Sequence, residues 1–344
     1  MAFVALAVPW VVAFLVVAAV SDNLGWDLRH AYLPAAASVR GGESPYPALA
    51  DPILEEQKGY VYPPQLAVVL APFAHVPDEI LASAVVGTLL LLAFLTLWLL
   101  DVRDPRCYAA SFASLPVLSA ASFANVSLPL ALALALAWRY RERAGSGLAL
   151  GLAVSAKLVL WPLLVWMVGR RRWSTALVAG LSGVIVTVAA WATIGFQGLR
   201  EYPALLRRLS EIQAEQSYSL LGVSATLGLP STVGRLAALA AAASLLFACF
   251  RFARWGDDLR SFTSAVLATL AASPIVWLHY LVVLFVPLAA ARPRFSALWL
   301  VPLTLVLSPR PGYAEGVEVL VPLGVVVVLG AVLLRRPATV RHGG

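Results

Sequence analysis

The chain has 344 residues, a mean hydropathy of +0.85, 61% hydrophobic residues and a formal net charge of +7. That apolar fraction exceeds what a soluble domain carries, and the basic residues fall in short clusters between apolar runs of about 13–23 residues. The charge therefore belongs to membrane topology, and a nucleic-acid partner is excluded. Cys107 and Cys249 stand far apart without metal-ligand spacing, so neither a disulfide nor a zinc site is expected.

In chain order, Ala2–Val20 reads as a first retained span, lacking a basic start and a cleavage site. Residues 21–64 then form a large first external loop. It holds Asp22, Asp27, Glu43, Asp51, Glu55 and Glu56, six of the 18 acidic residues. Within it, Asp27 to Val39 is predicted helical and stopped by Gly41-Gly42. Asp51 caps a second short helix over Pro52–Lys58 that Gly59 closes. Tyr60-Val61-Tyr62-Pro63-Pro64 cannot continue a helix. Gln65–Val76 is too short to span and is expected at the interface or re-entrant, whereas Ile80–Leu100 is a full span.

Beyond residue 100 the arginine clusters set the pattern. The intervals 108–138, 146–169 and 261–291 are about 24–31 residues long and basic at both ends. The positive-inside bias puts both ends of each in the cytoplasm, so each goes out and returns on half-length helices. Such turns are tolerated where they line a wet cavity or are buried in protein. The residues at those turns are Asn125, Lys157, and Ser273-Pro274 through His279-Tyr280. Thr175–Gly195, Val233–Phe250, Phe295–Ser308 and Val317–Leu334 complete about twelve transmembrane or half-length helices, with 196–231 as a second external loop. In this arrangement 16 of 25 Lys and Arg lie inside and seven outside.

Asp27, just past the first span, is either a solvated cap or a general base with an ordinary ionised carboxylate; Asp22 is a second candidate. Lys157, flanked by apolar residues, either snorkels to the interface or meets an anion, and a phosphate suits a point cation. His279-Tyr280 is a core pair or part of a polar pocket, and Asn125 is a helix–helix hydrogen-bonding residue or a substrate contact. Leu205, Leu206, Leu209 and Ile212 recur at helical spacing around Arg207 and Arg208. They describe an interfacial amphipathic helix whose arginines suit lipid phosphates, or a solvated face at the membrane surface.

These residues, taken in order, resemble a known family. Asp27…Tyr32, Gly41…Ser44-Pro45-Tyr46 and Tyr62-Pro63-Pro64…Pro72 are similar to the first external loop of glycosyltransferase family 87. That family comprises actinobacterial GT-C enzymes, including polyprenyl-phosphate-mannose-dependent mannosyltransferases of phosphatidylinositol mannoside synthesis. Lys157 with Pro162, the Arg170-Arg171-Arg172-Trp173 run, Gln216-Ser217 and Ser273-Pro274…Trp277…His279-Tyr280 extend the resemblance over roughly residues 20–290. At Ala124-Asn125 the chain departs from the glycine-glutamine pair that often precedes the asparagine.

The resemblance implies a single all-α GT-C transmembrane domain over 1–344, in the plasma membrane, with an external active site. It implies inverting transfer of a sugar, mannose by frequency, from a polyprenyl-phosphate donor to a glycolipid or glycan acceptor, with membrane lipids as surroundings. Asp27 is then the catalytic base, while Lys157, Arg207 and Arg208 bind the donor phosphate. Tyr32, Tyr46, Tyr62, Asn125, Gln216, His279 and Tyr280 form the substrate pocket. No cofactor or metal is expected, because a cation can stabilise the leaving phosphate and the loops carry no Asp-x-Asp pair. Arabinofuranose transfer is the alternative within the family. A flippase of lipid-linked sugars is the alternative outside it, although a flippase needs a polar path to both leaflets.

Overall fold

The computed structural model describes residues 2–308 and 319–335. Every regular element among them is helical. Four helices are long and apolar enough to cross a membrane: Phe3–Val20, Asp78–Leu99, Trp173–Thr193 and Ser231–Arg254. Leu115–Ser122 and Ser127–Arg139, bent by 119° at their junction, make a fifth if counted as one broken span. Ser146–Ala156, Leu158–Gly169, Leu278–Ala291, Ala297–Leu307 and Leu320–Leu334 are shorter apolar helices of 10–17 residues. The expected return span from Val317 begins on residues outside the described ones, as does the basic tail beyond Arg335.

The short elements are arranged by charge. Arg139 pairs with Asp101 at 2.8 Å, which brings the two ends of 101–139 together. Arg141 and Arg172 reach Asp258 at 2.8 and 2.7 Å, Arg170 lies 3.4 Å from it, and Arg172 also holds Glu142. The N–H of Phe295 donates to Asp104 at 3.2 Å. All these links therefore lie at one end of the bundle, and the elements between them must turn back at the other.

The hairpin 146–169 shows how. A Cβ at Gly147 would collide with the Thr175 carbonyl, and one at Gly151 with Ser182 and the Ala179 carbonyl. The register 147 to 175 and 151 to 182 makes helices Ser146–Ala156 and Trp173–Thr193 parallel neighbours at close approach. Leu158–Gly169 is left to run back. Its start is enforced at Lys157, which leaves the helix with extended φ −147 and ψ 96, and by Pro162 at the first turn of the next helix.

The first loop differs in detail from its sequence reading. The segment after Asp27 is helical, but it begins with a π turn, Leu28–Tyr32, before the α-helix Leu33–Arg40. Gly42, at φ +79, takes the left-handed position that ends it. The helix expected over Pro52–Lys58 shrinks to a 3-10 turn, Pro52–Leu54, capped by Asp51 accepting from the Ile53 N–H at 3.0 Å. Gln57, at φ 59, supplies the left-handed residue there. Gly59 is needed instead because a Cβ would press on Leu54 and Pro47.

The larger correction concerns Tyr202–Gln213. Part of the apolar face expected at the interface packs on the first loop instead. Leu205 is buried with Leu54, Trp191, Ile194 and Tyr202. The Tyr202 hydroxyl donates to the Val61 carbonyl at 3.1 Å, and Gln213 donates to the Leu54 carbonyl at 3.3 Å. An amphipathic stripe records only that one face is turned from solvent, and here Leu205 is buried in protein while Leu206 and Leu209 stay half-buried.

Candidate active site

A cavity of about 580 Å³ opens where the hairpin turns meet the first loop. Asp27, Tyr32, Tyr62, Asn125, Lys157, Gln216, His279 and Tyr280 all line it. Four segments with no sequence proximity thus contribute to one wall: the loop, the 123–126 bend, the Lys157 break and the Ser273–Trp277 break. Trp26, Phe123, Trp277 and Gln213 line it as well. Of these, Trp26 had a legible signal, its position next to Asp27; Gln213 and Phe123 had none.

Each wall is held by groups that the local sequence leaves without partners. Pro63-Pro64 stops helix formation, so the carbonyls of 61–63 must find other donors. Three tyrosines supply them: Tyr60 to Pro63 at 2.6 Å, Tyr46 to Tyr62 at 3.2 Å, and Tyr202 to Val61. Tyr46 is consequently turned away from the cavity and stacks on Trp191, with ring centroids 5.5 Å apart. Its contribution is to fix Tyr62.

Asp27 is placed by backbone and side chain together. Its N–H donates to the Phe123 carbonyl at 3.0 Å, and the Gly25 N–H donates to the Ser122 carbonyl at 2.5 Å. One carboxylate oxygen, Oδ2, accepts from Asn125 Nδ2 at 2.5 Å and from the Tyr32 hydroxyl at 3.4 Å. Asn125 Nδ2 also lies 3.3 Å from the Tyr62 hydroxyl. Burial drives the Asp27 carboxyl upward, against the hydrogen bond from Asn125, the charge of Lys157 and the hydrogen bond from Tyr32, and leaves it at about 6. A group poised there is mostly ionised at neutral pH and still takes up a proton readily.

The Lys157 Nζ sits 3.0 Å from the centre of the Tyr280 ring and 6.0 Å from that of Tyr62. Among the described residues no carboxylate comes within ion-pair distance of it. The aromatic faces steady the ammonium without quenching its charge. His279 is buried beside Tyr280, ring centroids 4.9 Å apart, and edge-on to Phe123.

Not every predicted site residue joins this group. Arg207 and Arg208 are on the exposed face of Tyr202–Gln213, while Leu206, Leu209, Ser210 and Gln213 face the cavity. Arg208 pairs with Glu55 at 3.4 Å. Asp22 is bound to Arg29 at 2.5 Å, exposed and outside the cavity.

No curated protein and no solved structure matches the chain. The profile of glycosyltransferase family 87 matches residues 60–276, a stretch that contains Tyr62, Asn125, Lys157 and Gln216, follows Asp27 and precedes His279. That match covers more than half of the chain, and with the helical membrane architecture around it the conclusion is that this chain belongs to glycosyltransferase family 87.

Proposed function

We propose that the chain is an inverting mannosyltransferase of GT-C architecture. Its donor is a polyprenyl-phosphate mannose, and its acceptor a hydroxyl of a glycolipid or glycan at the external face of the plasma membrane. The observation that carries this reading is the shared cavity of Asp27 and Lys157, a carboxylate poised near neutrality and a cation with no carboxylate partner among the described residues. Asp27 takes the proton of the acceptor hydroxyl. The freed oxygen lone pair attacks the anomeric carbon from the face opposite the phosphate. The carbon–oxygen bond to phosphate breaks, and polyprenyl phosphate leaves as its growing charge meets the Lys157 ammonium. Tyr62 and Tyr280, both near the ammonium, bound the space for the sugar.

A lipid-linked donor suits the chain better than a nucleotide sugar. A nucleotide-binding domain needs on the order of 100 residues. At the ion-paired end the link between Ser231–Arg254 and the next helix is only residues 255–257. The side chains with chemical potential lie at the opposite end, beside apolar half-length helices that a polyprenyl tail can follow. Arg207 and Arg208, outside the cavity, are then available to lipid headgroups and not to the leaving phosphate.

The test is reconstitution in proteoliposomes with chelator present. Transfer from polyprenyl-phosphate mannose and none from GDP-mannose is the expected result. The reverse ends the proposal, and transfer only from a polyprenyl-phosphate arabinofuranose replaces the sugar while keeping the chemistry.

A further inference from the structure

We propose that Asn125 is the positioning residue of this site, taking Asp27 Oδ2 out of the chemistry and assigning proton abstraction to Oδ1. This rests on the reading of Asp27 as the base and specifies which atom acts. Among the described residues every protein hydrogen bond to the carboxylate ends on Oδ2, from Asn125 at 2.5 Å and Tyr32 at 3.4 Å. Oδ1 receives none and is left for the acceptor hydroxyl.

The orientation of the Asn125 amide is dictated by its other end. Its Oδ1 accepts from the Ser127 N–H at 3.0 Å and from the Ser127 hydroxyl at 2.7 Å. Both are donors, so the amide oxygen must face Ser127 and the NH₂ must face Asp27. A flipped amide would set oxygen against carboxylate and leave Ser127 without its acceptor.

The backbone is shaped for the same contact. Ala124 sits at φ +53, a left-handed conformation that a residue with a Cβ adopts reluctantly. Such strain persists where surrounding structure holds it, and it clusters at functional sites. Here the Asn125 N–H returns to the Ala120 carbonyl at 2.9 Å, and the flanking Phe123 carbonyl holds the Asp27 N–H. The bend therefore grips Asp27 twice, once by main chain and once by the amide.

The charged and titratable groups around Asp27 come from each wall of the cavity: Tyr32 on its own helical turn, Tyr62 from the loop, Lys157 from the hairpin break and Tyr280 from the last turn. Among the described residues only Asn125 and Tyr32 donate to the carboxylate directly. Removing the Asn125 donor removes a stabiliser of the ionised form, so the acid requires a higher pH to lose its proton.

The experiment is the pH profile of kcat/KM for transfer from polyprenyl-phosphate mannose in proteoliposomes. Asn125→Ala is expected to lower kcat by about tenfold or more, to move the acid limb upward by about half a pH unit or more, and to leave the donor KM unchanged. Ser127→Ala removes the hydroxyl, one of the two donors that hold the amide, without touching Asp27, and should move the limb in the same direction by less; Ser127→Thr, which keeps the hydroxyl, should restore it. A purely structural role would lower the yield of folded protein with no shift of the limb, and that result overturns the proposal. Should Asn125→Ala fail to fold, the Ser127 pair decides alone. Asp27→Asn in the same assay separates the two readings. If it retains full turnover, the base assignment and this proposal fall together. If it is inactive while the Asn125 and Ser127 variants keep the wild-type profile, only this proposal falls.

Discussion

Two half-buried carboxylates sit at opposite ends of the same hairpins. At the ion-paired end Asp258 accepts from Arg141, Arg172 and the Trp166 indole at 2.7–2.9 Å, and Arg170 approaches to 3.4 Å. At the cavity end Asp27 has one amide, one distant hydroxyl and an oxygen that no group among the described residues binds. Asp258 has every lone pair committed and joins the ends of three returning segments. Asp27 is held in place with part of its capacity unspent. Burial alone does not distinguish a staple from a base; the number of committed acceptor sites does.

Substitutions should break this contrast in graded ways. Asp258→Ala leaves three guanidinium groups with only Glu142 beside them, and since these pairs are half-buried the cost falls below the roughly 3–5 kcal/mol of breaking a fully buried ion pair. The expected outcome is a sharp drop in thermal stability measured in detergent, with the remaining folded fraction still active. Asp27→Asn should do the opposite. Stability and donor binding survive, while turnover falls at least about a hundredfold, equivalent to about 2.7 kcal/mol of barrier; near-normal turnover in folded protein would remove Asp27 from the mechanism.

Lys157→Met comes next, weakening donor binding and slowing transfer together by on the order of tenfold to a hundredfold. A folded variant with unchanged donor affinity would make Lys157 a residue that merely snorkels. The wild-type pH profile is a gentler probe. As the proposed base, Asp27 must be ionised to act, and burial pushes its carboxyl up to about 6, so kcat/KM should level off above that pH and fall tenfold per unit below it. A limb near pH 4 would mean that the carboxylate is solvated during turnover. Arg208→Ala, which removes one exposed pair with Glu55, should change turnover by less than about twofold.

Parts of this arrangement were legible in the sequence because they depend on spacing. The distances between arginine clusters alone sent Asn125, Lys157 and His279-Tyr280 to turns on one side, and the structure gathers those turns around one cavity. Asp27 was legible from its position past an apolar run. What stayed hidden depends on which surface meets which. The stripe of Leu205, Leu206 and Leu209 reads the same whether it meets lipid, protein or a cavity. Tyr46 was indistinguishable from Tyr62 until Trp191 claimed its ring. The three arginines around Asp258 come from two separate links, and nothing local to any of them announces the meeting. The π turn at Leu28–Tyr32 also left no mark in the apolar periodicity.

The close contact of Gly147 and Gly151 with the neighbouring helix has a mechanical consequence. Lys157 stands six residues past Gly151, about 9 Å along the helix axis. With the contact as fulcrum, a tilt of about 6° displaces the ammonium by about 1 Å, and a misplacement of that size can cost a hundredfold in rate. Helix tilt is what bilayers of different thickness alter. On the proposed role of Lys157, lipid composition then has a lever on the distance from cation to donor phosphate that starts outside the cavity.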